Sequence, residues 1–201
     1  MDVQFFLIAP PGADAAQFLP LLKDALQAAP AAALLLPRDG HSENGYKAFA
    51  KAVIPVAQAA GVAVLVEGEP GLVKLTGADG LHVTGDSAVL KAAVGALKPQ
   101  YIVGAGGIAS RHEAMSKGET GPDYLFFGPS TGTRAPEQRE IARWWAELME
   151  IPAVLSDTAA TPESASSEGC EFIALGDSLW TAPAGPGAAL KAIADALKVP
   201  A

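Results

Sequence analysis

The chain has a single cysteine, Cys170, so no disulfide can close within it, and no Cys/His spacing resembles a zinc site. Positive charge is scarce: 14 Lys and Arg stand against 22 Asp and Glu, a formal net charge of -8 at pH 7. Nucleic acid or an anionic membrane would be met by a basic patch, and the charges do not cluster that way, so neither is expected as a partner. Long hydrophobic runs are missing too. Charges, Gly or Pro break every apolar segment before the ~18 residues that a bilayer span needs. The N-terminal MDVQFFLIAPPG carries Asp where an export signal would carry Lys or Arg, and its apolar run is short. The expectation is a protein of the reducing cytoplasm.

Aromatics are only 6% and charges 18% of the 201 residues, yet half the chain is hydrophobic, enough for a full core. A single domain over 1–201 is expected.

Eight short apolar runs recur: VQFFLIA from Val3, AALLLP from Ala32, VAVLVE from Val62, GLHV from Gly80, YIVGAG from Tyr101, YLFFG from Tyr124, PAVLS from Pro152 and FIALG from Phe172. Between them lie stretches whose apolar residues repeat at three- and four-residue spacing, as in Phe18, Leu21, Leu22 and Leu26, which predicts helices with one buried face. The third and seventh intervening segments, PGLVKLTG and TPESASSEG, are short and weakly patterned. Continuous apolar strands alternating with helices imply parallel crossovers, and eight such units predict a (β/α)8 TIM barrel near its lower size limit of roughly 200 residues. A doubly wound open sheet would usually carry a Gly-rich fingerprint after the first strand; APPGADAA stands there instead.

A barrel places its chemistry just after the strands. Those positions hold Arg38 and Asp39; Glu67 and Glu69; His82, Thr84 and Asp86; Gly106 and Gly107; Ser130, Thr131, Gly132, Thr133 and Arg134; Ser156, Asp157 and Thr158; Asp177 and Ser178. Cations, hydroxyls and backbone N–H groups suit phosphate oxygens, and carboxylates suit a bridging magnesium ion. The same residue types also serve as turn formers and N-caps, so composition leaves both readings open.

Two motifs go further. GADGLHVTGD, from Gly77 to Asp86, and GPDYLFFGPSTGTR, from Gly121 to Arg134, resemble the fourth and sixth strand signatures of the thiamine phosphate synthase and thiazole tautomerase family. LLLPRD and IPAVL fall where that family has its second and seventh strands. The resemblance implies a transferase that joins a hydroxymethylpyrimidine pyrophosphate to a thiazole phosphate, with magnesium assisting departure of pyrophosphate. It implies catalytic roles for Arg38 and Arg134 and magnesium on Asp86, with Glu67 substituting as a second ligand; position after the strands adds His82 as a catalytic candidate and Gly106, Gly107, Ser130, Thr131, Gly132, Thr133, Ser156, Thr158 and Ser178 as phosphate-binding candidates. Partners would be phosphorylated small molecules and a second copy of the chain.

The sequence departs from the family at several of these places. Gly40 stands where a second cation follows Arg38, Glu67-Gly68 replaces Asn-Asp, and Ser156-Asp157-Thr158 replaces a Gly-Gly turn. A carboxylate there would repel a phosphate. These departures support an alternative, a barrel that has lost the transferase reaction and binds another small ligand or serves as a non-catalytic partner. His82 is open to two readings, an acid–base group or a hydrogen-bonded core histidine. Trp144 and Trp145 suit either a subunit interface or packing of the helix layer, while Cys170 reads as structural.

Overall fold

The computed structural model describes residues 3–132 and 136–199. Eight parallel strands close into one barrel in sequence order: β1 Gln4–Ile8, β2 Ala33–Leu36, β3 Ala63–Glu67, β4 Gly80–Val83, β5 Ile102–Ala105, β6 Tyr124–Phe127, β7 Ala153–Ser156 and β8 Phe172–Leu175, with β8 paired back to β1. Helices α1 Ala15–Ala28, α2 Glu43–Ala59, α3 Pro70–Thr76, α4 Ser87–Leu97, α5 Arg111–Gly118 and α6 Pro136–Leu148 follow the first six strands. The weak seventh segment forms no helix, and 157–171 crosses to β8 as turns and loop. The chain ends in a short α7, Asp177–Trp180, and a longer α8, Pro186–Leu197.

Side chains alternate along each strand, so every strand feeds two cores. Outward residues such as Leu7, Leu34, Val64, Val103, Leu125 and Leu155 pack under the apolar faces of the helices. The inward set is small: Phe6, Ile8, Ala33, Leu35, Leu65, Tyr124, Phe126, Val154 and Ala174. Its aromatics meet edge to face, Phe6 with Tyr124 at 5.5 Å and with Phe126 at 5.7 Å, contacts worth about 0.5–1.5 kcal/mol each beyond their area. Gly104 makes room for Tyr124, because a Cβ there would lie 1.9 Å from its ring.

At the end of the barrel opposite the strand C-termini, an acid stands immediately before each of three even-numbered strands. Asp79 accepts the N–H of Val64 at 2.7 Å and returns its own N–H to the Val64 carbonyl. Asp123 does the same with Val103 at 2.8 Å, and Glu171 accepts from Ala153 at 2.8 Å. Val64 and Val103, second in β3 and β5, and Ala153, first in β7, would otherwise each leave an N–H unmatched, so each acid closes a ladder. The two aspartates of the ADG and PDY motifs are therefore fastenings of the fold. They lie away from the strand C-termini.

Candidate active site

At the mouth, the loops after β1 and β2 touch. Gly12 N–H donates to Asp39 O at 2.9 Å, and Gly40, at φ +81°, lies so close that a Cβ would come within 2.8 Å of the Gly12 nitrogen. The left-handed backbone and the contact together require glycine at 40 and exclude the cation the family resemblance places there. Arg38 is exposed, and its N–H donates to Glu67 Oε2 at 2.9 Å. Its guanidinium overlies Gly68, at φ +126°, where a Cβ would lie 2.9 Å from Nη1. The absence of a carboxylate at 68 is thus matched by an arginine using the space.

Tyr46, unmarked in the sequence reading, ties the strand ends beneath this loop pair. Its hydroxyl donates to Leu36 O at 2.6 Å and accepts from Glu67 N–H at 2.8 Å. Burial raises the Glu67 carboxyl above its ordinary value, the N–H of Arg38 opposes the shift, and the charge of Asp39 adds to it.

His82 lies deeper than a ligand-binding position at the mouth. The acid–base reading put it at the mouth, but it is only 2% exposed, an inward residue at the head of the barrel core. Nδ1 shares a hydrogen bond with the Tyr124 hydroxyl at 2.8 Å, the rings stack at 5.9 Å, and Nε2 lies where a Cβ on Gly106 would come within 2.6 Å. Burial pushes the imidazole down to about 3, with the charge of Lys117 acting in the same direction. The ring is neutral at pH 7 and held by Tyr124.

Above it, the loop after β5 carries Gly106, buried, and Gly107, exposed at φ +66°. Lys117, from α5, is 5% exposed and donates to Gly106 O at 2.6 Å and Gly107 O at 3.1 Å. A lysine in the last turn of a helix carries no signal of this in the sequence. Burial lowers its pKa against the opposing charges of Glu113 and Asp86. Asp86 caps α4, Oδ1 accepting from Ala88 and Val89 N–H at 3.0 and 2.9 Å. A cleft of about 340 Å³ between α4 and α5 is lined by Thr84, Asp86, Gly107, His112 and Lys117 among others.

The hydroxyls expected to bind phosphate after β7 and β8 are donors to backbone. Ser156 Oγ donates to Pro129 O at 2.5 Å, Thr158 Oγ1 to Gly132 O at 2.5 Å, and Ser178 Oγ to Ala160 O at 2.8 Å. The proton of each is engaged in holding loops together. Asp157 is engaged in the same loop region. Its carboxylate turns outward to α6, 3.6 Å from Arg139 Nη2, and Arg139 Nη1 reaches Glu168 Oε1 at 3.1 Å. Ser130, Thr131 and Gly132 form the rim after β6; Thr133 and Arg134 lie outside the described residues.

Among the described residues no group of three or more His, Cys, Asp or Glu is gathered to hold a metal ion. Magnesium, however, takes one or two carboxylates and fills its remaining positions with water and substrate phosphates. Glu67 and Asp86 each have one oxygen on backbone N–H groups and another left over, a donor set of that kind. None of the described helices is long and apolar enough to cross a membrane.

A family model described as thiamine monophosphate synthase matches residues 5–179. The chain is 34% identical over 196 residues to the thiamine-phosphate synthase of Rhodospirillum centenum, covering 94% of this chain and 95% of that one. It is 33% identical over 201 residues to the thiamine-phosphate synthase of Hyphomonas neptunium, covering 94% and 91%. Among solved structures, a thiamine phosphate pyrophosphorylase from Pyrococcus furiosus superposes with a TM-score of 0.80 at 19% identity, over 98% of this chain and 96% of the other, a likeness of fold. The motifs around Gly77–Asp86 and Gly121–Arg134, set in a closed barrel and matched along almost the whole length, make this chain a member of the thiamine monophosphate synthase family.

Proposed function

We propose that the protein is a thiamine phosphate synthase of the cytoplasm, joining hydroxymethylpyrimidine pyrophosphate to thiazole phosphate with release of pyrophosphate. The observation that carries this reading is the similarity to synthases of that name along nearly the whole chain. Pyrophosphate leaves with developing negative charge, and fixed cations and N–H groups stabilise such a leaving group. Arg38, exposed over Gly68, supplies the positive charge on one side; the N–H of Gly107, in the loop that Gly106 opens, and the rim residues Ser130, Thr131 and Gly132 face the phosphates on the other. Arg134 supplies a second cation in this reading. Magnesium, held by Glu67 and Asp86, would neutralise the pyrophosphate oxygens. A homo-oligomer is part of the proposal; of the tryptophan pair only Trp144 is partly exposed, while Trp145 is buried and donates its indole N–H to Ile151 O.

A second reading is favoured by Gly40, where neighbouring backbone leaves no room for the family's side chain, and by Gly68, whose φ of +126° disfavours one: a barrel that has given up the transfer and takes another small ligand. Incubation of the folded protein with both precursors, with and without magnesium, decides between them. Thiamine phosphate and pyrophosphate formed in equal amounts support the synthase. No product with either condition overturns it.

A further inference from the structure

Resting on the synthase reading, we infer that Lys117 is a positioning residue, which turns the backbone N–H groups of Gly107 and Ile108 toward the barrel mouth as a paired grip on phosphate oxygens. The peptides after Gly106 and Gly107 are trans, since among the described residues only Lys98–Pro99 is cis. In a trans peptide the N–H points opposite to the carbonyl before it. The Lys117 ammonium draws the carbonyls of Gly106 and Gly107 toward α5, at 2.6 and 3.1 Å. The N–H groups of Gly107 and Ile108 therefore both point away from α5.

Neither N–H finds an acceptor among the described residues. A buried backbone donor left without a partner is costly, and Ile108 is 2% exposed. Successive N–H groups around a left-handed residue, here Gly107 at φ +66°, form a concave nest that suits an anion. The ammonium does more than tether. Lys117 as a residue is 5% exposed, and its ammonium, held against both carbonyls, adds positive charge behind the nest, with Glu113 and Asp86 as its own counter-charges. A neutral side chain would leave two carbonyls without a donor and release both peptides to rotate.

The test uses the full chain labelled with ¹⁵N, titrated separately with inorganic pyrophosphate and inorganic phosphate, beside Lys117→Met and Lys117→Arg. The expected result is that the Gly107 and Ile108 amides shift on titration of the unmodified protein, and the stronger response names the anion held. Lys117→Met should weaken that binding about tenfold and raise KM for the pyrophosphate substrate more than it lowers kcat, while Lys117→Arg stays within about threefold. If Lys117→Met does not fold, the amide shifts of the unmodified protein still decide. Silence of both amides toward either anion, or unchanged affinity in a folded Lys117→Met protein, overturns the inference. Turnover with silent amides would sink this inference and leave the synthase; shifted amides without turnover would do the reverse.

Discussion

Nδ1 of His82 and the hydroxyl of Tyr124 lie 2.8 Å apart, inside the barrel and directly below the Gly106 loop. Two motifs that resemble ligand-binding signatures thus meet through their core residues. The pair carries the loop after β5 on its upper edge.

Tyr124→Phe should lower stability by about 1–3 kcal/mol, because it leaves a buried ring nitrogen without its partner while keeping the ring that fills the space over Gly104. Urea denaturation at pH 7 checks this. Unchanged stability would mean that the bond contributes nothing.

The neutrality of His82 has a pH signature. In the folded chain its pKa is depressed to about 3, whereas the unfolded imidazole titrates near ~6.5. Between those values the unfolded state binds a proton that the folded state refuses, so stability falls as pH falls through that window. The loss from this group is up to about 1.4 kcal/mol per pH unit. Comparing urea midpoints of the parent and His82→Gln from pH 7 to 4.5 isolates it: the variant should show the shallower decline. Parallel declines would contradict the burial argument.

Asp79→Ala and Asp123→Ala each remove the acceptor for a strand N–H and should cost about 1–3 kcal/mol. Glu171→Gln keeps an acceptor oxygen and should cost less. Thermal melts of the three variants give the order, and a Glu171→Gln melt as low as the alanine pair would refute it.

Under the synthase reading, Arg38→Ala should reduce turnover by about 10² or more, as removal of a group that stabilises developing charge does, with little change in melting temperature because the side chain is exposed. Steady-state kinetics beside circular dichroism measure both. Full activity in the folded variant would take Arg38 out of the site.

The barrel was legible because each strand is a short apolar run and each major helix carries a clear period, from Phe18 and Leu22 in α1 to Leu190 and Ile193 in α8. The weak pattern of TPESASSEG was a true sign, since that crossover has no helix. The direction of Asp157 was also available: Val154 faces inward, and the two-residue alternation along β7 turns Asp157 out toward α6. Lys117 and Tyr46 were not legible. Each acts on backbone carbonyls or N–H groups remote in sequence, and such groups have no residue-type signature. Gly40 and Gly68 read as lost functional side chains, whereas the folded chain fills their places with a loop contact and with Arg38.

The fastenings at Asp79, Asp123 and Glu171 bind β4 to β3, β6 to β5 and β8 to β7, all at the end remote from the mouth. A strand that slips by one residue exchanges its inner and outer faces, so stagger is the quantity a barrel can least tolerate losing. Here the stagger of three strand pairs is indexed from below, by residues remote from the mouth. Substitutions in the upper loops can then accumulate without resetting the shear of the wall beneath them, and a chain built this way is free to rewrite its chemistry one loop at a time.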